Sequence, residues 1–215
     1  QFEAGSIFSI LDEVGSDLPS RLLEPDFRHY AESLKLPPWP DRLSPSKHLP
    51  ELRLYFVRLS FLASAYVNQI GQAPAVYLPE NLAVPLTRVA KLLSVPPILN
   101  YAGYALYNWK RFDKSKGIAL GNIDTIQNFV HLYDEHWFIL IHVEIEAIAA
   151  NLLAAIKTLH NHLDKRDALD SEVVNEQLQI AAECLGKQLL VLKRIPERMS
   201  PALYFKAFRP YIRFF

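Results

Sequence analysis

In ELRLYFVRLSFLASAYVNQI (51–70), apolar side chains fall at 52, 55, 56, 59, 62, 63, 66, 67 and 70. These are the three- and four-residue steps of a helix, with Pro50 suited to its first turn and Gly71 placed to stop it. A second helix is predicted over about 171–194, where Val174, Leu178, Ala181, Leu185, Leu189 and Leu192 form one continuous apolar stripe ended by Pro196. Between them lies WFILIHVEIEAIAANLLAAI (137–156), apolar almost all the way round. It predicts a long helix from Asp134 and Glu135, whose charges complement the helix dipole, to about His162. At about 1.5 Å per residue it exceeds ~40 Å.

The remaining segments are more broken. Many of the fifteen prolines lie in the first 48 residues, which favours short helices joined by extended pieces. Residues 72–84 read as irregular or locally extended chain, and a short helix is expected after Pro85. PPILNYAGYALYNWK (96–110) opens another with Pro96 and Pro97, and its Tyr101, Tyr104 and Tyr107 recur every three residues on one side. FDKSKGIALGN (112–122) has loop chemistry and marks a boundary, giving a small N-terminal subdomain over 1–128 and a helical part over 129–215. Ser200-Pro201 reads as an N-cap followed by proline at the first helical position. The expected class is mainly α, with few, short strands.

Half of the 215 residues are hydrophobic, ample for a core, and Lys+Arg and Asp+Glu balance at 23 each. That neutrality provides no electrostatic footprint for nucleic acid or an anionic membrane surface. The basic cluster in WKRFDKSK (109–116) is expected to be a short solvated loop. Cys184 is the single cysteine, so neither an intramolecular disulfide nor a cysteine metal cluster can form, which fits a reducing cytoplasm. QFEAGSIFSILDEVG shows no basic region followed by a long apolar stretch, so no signal peptide is expected. Segment 137–156 is long enough to span a bilayer, but His142, Glu144 and Glu146 would be costly there. A buried helix of a soluble protein is expected instead.

His142 and Glu146, four apart, share a helix side, while Glu144 points elsewhere. The pair could furnish two metal ligands or be a histidine held by a carboxylate; His136, His160 and His162 add no recognisable ligand spacing. There is no G-x-S-x-G, G-x-x-x-x-G-K or G-x-G-x-x-G, so hydrolase-elbow and nucleotide-loop chemistry lack their signals. In YFKAFRPYIRFF, Arg209 stands among Tyr204, Phe205, Phe208 and Tyr211. A guanidinium in such company is either stacked structurally or posed to hold a carboxylate in a bidentate manner.

Three stretches together resemble the indoleamine 2,3-dioxygenase family: LPENLAVPLTRVAKLLSVPPILNYAGYALYNWKRFD (78–113), WFILIHVEIEA (137–147) and YFKAFRPYI (204–212). The P-P-I-L-x-Y core and the arginine motif are the most specific parts, and their order and spacing agree across 50–212. The resemblance implies a mainly α fold, with a small N-terminal subdomain and the start of a large helical haem domain. It also implies haem b and O2, with oxidative cleavage of the indole C2=C3 bond of L-tryptophan or a related indole to N-formylkynurenine. Arg209 would hold the substrate carboxylate; Tyr204, Phe205, Phe138, Tyr101 and Tyr104 would line the indole pocket. His142 would hold the distal position, matched through Glu146, whereas a gapless match through Trp137-Phe138 would place Ile141 there. The family's proximal histidine lies in a second half, and none of the seven histidines here matches it, so no iron ligand is assigned. Where the family continues into Gly-Trp, this chain has Arg213-Phe214-Phe215, a departure that argues against strict specificity for tryptophan. A haem-free helical module binding an indole or aromatic carboxylate is the alternative.

Overall fold

The computed structural model describes residues 1–3, 5–163 and 171–213. Helices α1 (Ser9–Arg21), α2 (Phe27–Ser33), α3 (Leu49–Val67) and α4 (Glu80–Leu93) precede a π-helical turn, Ala102–Leu106. A hairpin of β1 (Trp109–Arg111) and β2 (Ile123–Thr125) follows, then α5 (Tyr133–Leu163), α6 (Ser171–Leu192) and the one-turn α7 (Pro201–Leu203). Tyr204–Phe208 is a second π turn and Arg209–Ile212 a 3-10 turn. The fold is mainly α, as the periodicity requires.

The centre of the molecule is α3, buried around its whole circumference from Tyr55 to Val67. Its polar residues are therefore paired. Arg58 makes a 2.7 Å ion pair with Asp12 and donates to Gln127 and to the Ile126 carbonyl. Gly15 of α1 lies against this group, where a Cβ would meet the Arg58 side chain and the Gln127 amide oxygen below 3.0 Å. Ser64 donates to the Tyr211 carbonyl, tying α3 to the turn that carries Arg209. The proline-rich segment is ordered by the same core: Trp39 stacks on Phe8 at 5.2 Å, and Tyr55 donates to the Pro37 carbonyl at 2.7 Å.

Several elements differ from their sequence pattern. The helix expected after Pro85 begins at Glu80 and contains Pro85. Pro85 is the sixth residue of this helix, past the unpartnered N–H groups of the first turn, so it removes one intrahelical hydrogen bond, a cost that burial of its ring helps to offset. The helix expected over 96–110 is only the π turn and its approach. The wider π turn breaks the three-residue register, so Tyr107 leaves Tyr101 and Tyr104 and lies under Arg53 at 4.7 Å. Segment 109–116 is not wholly loop, because Trp109–Arg111 pairs antiparallel with Ile123–Thr125. The main apolar cluster takes Val57 and Phe61 from α3 together with Ile139, Leu140 and Val143 from α5.

By length and composition, α5 could cross a membrane. Its first part is core: Trp137, Ile139, Leu140, Ile141 and Val143 are all buried. Beyond that it packs on α6, yet Leu153 and Ile156 remain at least half exposed. The α6 stripe does not face a core either, since Leu178, Leu185, Leu189 and Leu192 are exposed and the buried residues are Cys184 and Val191. The expectation of a helix buried along its whole length therefore holds only for its start. Apolarity marks surface that can be covered, not surface that is.

Candidate functional site

Three segments converge on one cavity of about 200 Å³: the Leu99–Ala105 stretch, the first turns of α5, and the chain from Tyr204 to Ile212. This is below the ~300–1,000 Å³ of drug-sized ligand sites, and gives room for one small aromatic molecule. From α5 come Phe138, Ile139 and His142, placed together by four-residue spacing. The π turn adds Tyr101 and Tyr104, and the C-terminal segment adds Tyr204, Arg209 and Ile212.

His142 lies 2.7 Å through Nδ1 from the Phe138 carbonyl, which can only accept, so Nδ1 carries the proton. In the neutral ring Nε2 is then an acceptor. The imidazole also packs at 4.5 Å on Phe138 and at 6.1 Å edge-on to Tyr101. Ile141, the other candidate for this position, is buried in a different cluster with Trp137 and Val191. Glu146 shares the helix side with His142 but accepts the Tyr101 hydroxyl at 2.9 Å. Burial, then the neighbouring Glu146, raises the Tyr101 phenol above its ordinary range. Glu144 points away and accepts the Leu120 N–H at 3.1 Å. Among the described residues no group of three His, Cys, Asp or Glu side chains is arranged to hold a metal.

Arg209 opens the 3-10 turn, where Pro210 sets the chain's direction. Its guanidinium lies 5.6 Å over the Tyr204 ring and donates to that residue's hydroxyl at 3.2 Å. No ion pair among the described residues engages it. The two readings of an arginine among aromatics are thus compatible: it is stacked, and its charge is available beside the cavity. Tyr204 packs on Phe138 at 5.2 Å and on Phe208 at 5.3 Å. Phe205 departs from the expected lining: it is 65% exposed and touches the site only through an edge contact with Tyr204. On the π turn, adjacent side chains diverge, so Tyr204 and Phe205 cannot both face inward.

Several contributors were not singled out as pocket residues by the sequence reading, among them Leu99 and Ile212 of the cavity lining. Phe208, fully buried behind Tyr204 and Phe138, had a signal in its spacing from Tyr204. Ile139 looked like any core aliphatic. Glu135 resembled an ordinary first-turn acid, yet it is buried and accepts the N–H groups of Phe129 and Val130. Burial pushes its carboxyl up to about 8, against the pull of those hydrogen bonds. Ser200 precedes Pro201 as expected, but its N–H bonds Asp134 at 2.7 Å and its side chain makes no cap. Of the Arg213-Phe214-Phe215 departure, Phe214 and Phe215 lie outside the described residues.

The family model for indoleamine 2,3-dioxygenase matches residues 6–214. An indoleamine 2,3-dioxygenase of Saccharomyces cerevisiae is 30% identical over 209 residues, covering 94% of this chain but 45% of its own length. One of Penicillium citrinum is 33% identical over 168 residues, covering 76% of this chain and 37% of itself. A 6-hydroxytryptophan 2,3-dioxygenase of Fusarium equiseti is 24% identical, with 94% of this chain covered and 48% of the relative. The chain therefore spans about half the length of these relatives or less. With the match running through the convergent segments of the cavity, the chain belongs to the indoleamine 2,3-dioxygenase family.

Proposed function

We propose that this chain forms the substrate-binding part of a haem-dependent 2,3-dioxygenase acting on L-tryptophan or a related indole. The observation that carries the reading is the cavity itself, in which aromatic walls are flanked by a histidine acceptor and by a guanidinium with no ion pair among the described residues. The reaction would open the indole C2=C3 bond with O2, giving N-formylkynurenine or its substituted counterpart. The named activity of the Fusarium equiseti relative supports a ring wider than unsubstituted tryptophan.

Arg209 would bind the substrate carboxylate through two parallel N–H donors, a geometry lysine cannot reproduce. Phe138, Tyr104 and Tyr204 would hold the flat ring, and Tyr101, latched to Glu146, would close one side. The ring N–H would donate to Nε2 of His142, whose orientation is fixed by the Phe138 carbonyl. Phe205 has no part in this geometry. Together these contacts supply orientation, which is the protein's main contribution when a cofactor carries the chemistry.

Haem b would supply the oxidising chemistry when bound, and none of the roles above is assigned to holding it. Among the described residues no three His, Cys, Asp or Glu side chains gather as they would for a bare metal ion, and a cavity of about 200 Å³ does not admit the macrocycle. The functions above therefore concern the substrate alone.

The test is an absorption spectrum of the full-length protein carrying this chain, with and without L-tryptophan. A Soret band that shifts on addition, with the midpoint raised on the order of 100-fold in Arg209→Ala, is expected from loss of a charge-assisted pair. Absence of haem after supplementation, with ligand affinity retained, would replace this reading with the haem-free binding module.

A further inference from the structure

Glu135 sits on α5 with no exposed surface, and none of the roles above uses it. Oε2 accepts the Phe129 and Val130 N–H groups, each at 2.9 Å, and Oε1 lies 3.4 Å from the Tyr104 hydroxyl, which donates to it. Tyr104 forms one wall of the cavity; Phe138 and Ile139, one helical turn beyond Glu135, form another. The carboxyl is thus immediately behind the pocket, with Tyr104 linking the two.

No cation among the described residues answers it, since their ion pairs do not include Glu135. The titratable groups facing it from other elements are the phenols of Tyr104, on the π turn, and Tyr211, on the 3-10 turn. Its neighbours on α5 are engaged elsewhere, Asp134 with Ser200 N and His136 with Asp124 and Thr125. At the cavity itself the charged or titratable groups are Arg209, His142 and the Tyr101–Glu146 pair.

We propose that Glu135 is a specificity-determining residue of this pocket: placed behind Tyr104 without a cationic partner among the described residues, it opposes an anionic ligand at Arg209 whenever it is itself ionised. The inference rests on the cavity being the carboxylate site described above. With its carboxyl pushed up to about 8, Glu135 is mostly neutral at neutral pH and becomes charged in mild alkali. As a general scale, like charges on the order of 10 Å apart at an effective dielectric near 20 repel enough to change an affinity about tenfold, and the effect expected here is of that order. By linkage, binding an anion then draws a proton onto Glu135, whereas binding a neutral ring does not.

Two probes separate these cases: indole-3-propionate, which carries a carboxylate and no amine, and indole, which carries neither. Titration calorimetry of the full-length protein in buffers of different ionisation enthalpy, near pH 8, reads both affinity and proton uptake. The expected result is a dissociation constant for indole-3-propionate that rises on the order of tenfold from about pH 7 to about pH 9. It is accompanied by fractional proton uptake, and indole shows neither effect. Glu135→Gln should abolish the uptake and flatten the profile. An unchanged profile in Glu135→Gln would assign the linkage to another group and overturn the proposal. Should that variant unfold, His142→Gln takes its place beside the wild type: uptake confined to the anionic probe and retained in His142→Gln sustains the proposal, whereas zero uptake near pH 8 with measurable binding, or uptake lost in His142→Gln, overturns it. Failure of both probes to bind at any pH would remove the carboxylate-site reading first, and this inference with it.

Discussion

The two ends of α5 have nearly the same composition and opposite fates. From Trp137 to Val143 the helix is buried against α3 and the C-terminal segment, and its polar residues serve defined contacts. Past Ile148 the helix packs chiefly on α6, and Leu153 stays 64% exposed while Ile139 has no exposed surface at all. Equal hydrophobicity therefore says nothing about which end is core. What differs is the number of elements lying against each end, and only the first end has a pocket for its polar groups to face.

A charge placed at each end is the severest way to break this contrast. Ile139→Asp should leave the protein unfolded at ordinary temperature, because an isolated charge there has neither water nor a partner. Leu153→Asp should leave the melting midpoint of this chain nearly unchanged. Equal losses in the two melts would mean that the far end is also core.

Next in size is the pH response that belongs to the buried end. The native state keeps a proton on Glu135 up to about 8, whereas the unfolded chain loses it near 4.5. Between those values the unfolded state binds fewer protons, so stability falls as pH rises and levels off above the native value. Each tenfold difference in proton affinity between the two states is worth ~1.4 kcal/mol, so the total is on the order of a few kcal/mol. Denaturant melts across this range should show the decline in the wild type and its loss in Glu135→Gln; a flat wild-type profile would contradict it.

Where α5 meets the chain after α6, the Trp137 indole donates to the Arg194 carbonyl at 3.0 Å, with Arg194 and Arg198 over its face. Trp137→Phe should cost about 1 kcal/mol through the lost hydrogen bond, plus lost contact area. Urea melts read this directly, and no change would show that the junction is held by packing alone. The smallest effect is expected from Leu185→Lys with Leu189→Lys on the exposed face of α6, within about 0.5 kcal/mol by the same melts. A loss of several kcal/mol would show that face to be covered in solution.

Much of the architecture is readable from spacing. The positions of α3, α5 and α6 follow from apolar period and proline placement, because those signals are local to each helix, although α3 stops at Val67, before Gly71. The segments carrying the family motifs also bring Tyr101, Tyr104, Phe138, His142, Tyr204 and Arg209 to one cavity. Pattern and structure part where the backbone departs from α geometry. Tyr107 shares a face with Tyr101 and Tyr104 only under regular helical spacing, which the π turn before it breaks, while Phe205, expected from the family motif, directly follows Tyr204, and adjacent side chains on a helical turn diverge. Glu135 is illegible for a different reason, since an acid in a first helical turn carries no mark of burial.

The sequence by itself determined that this chain is helical, where its long helices lie, and which residue types could hold a flat ring and an anion. It did so because periodicity, proline and charge act over a few residues. Tertiary structure alone decided that His142 rather than Ile141 faces the cavity, since one helical position rotates a side chain by about 100°. Tertiary structure also decided that Glu135 lies behind Tyr104, and that one half of α5 is core while the other is surface. These outcomes depend on which elements meet across long stretches of chain, and no local pattern of side chains records that.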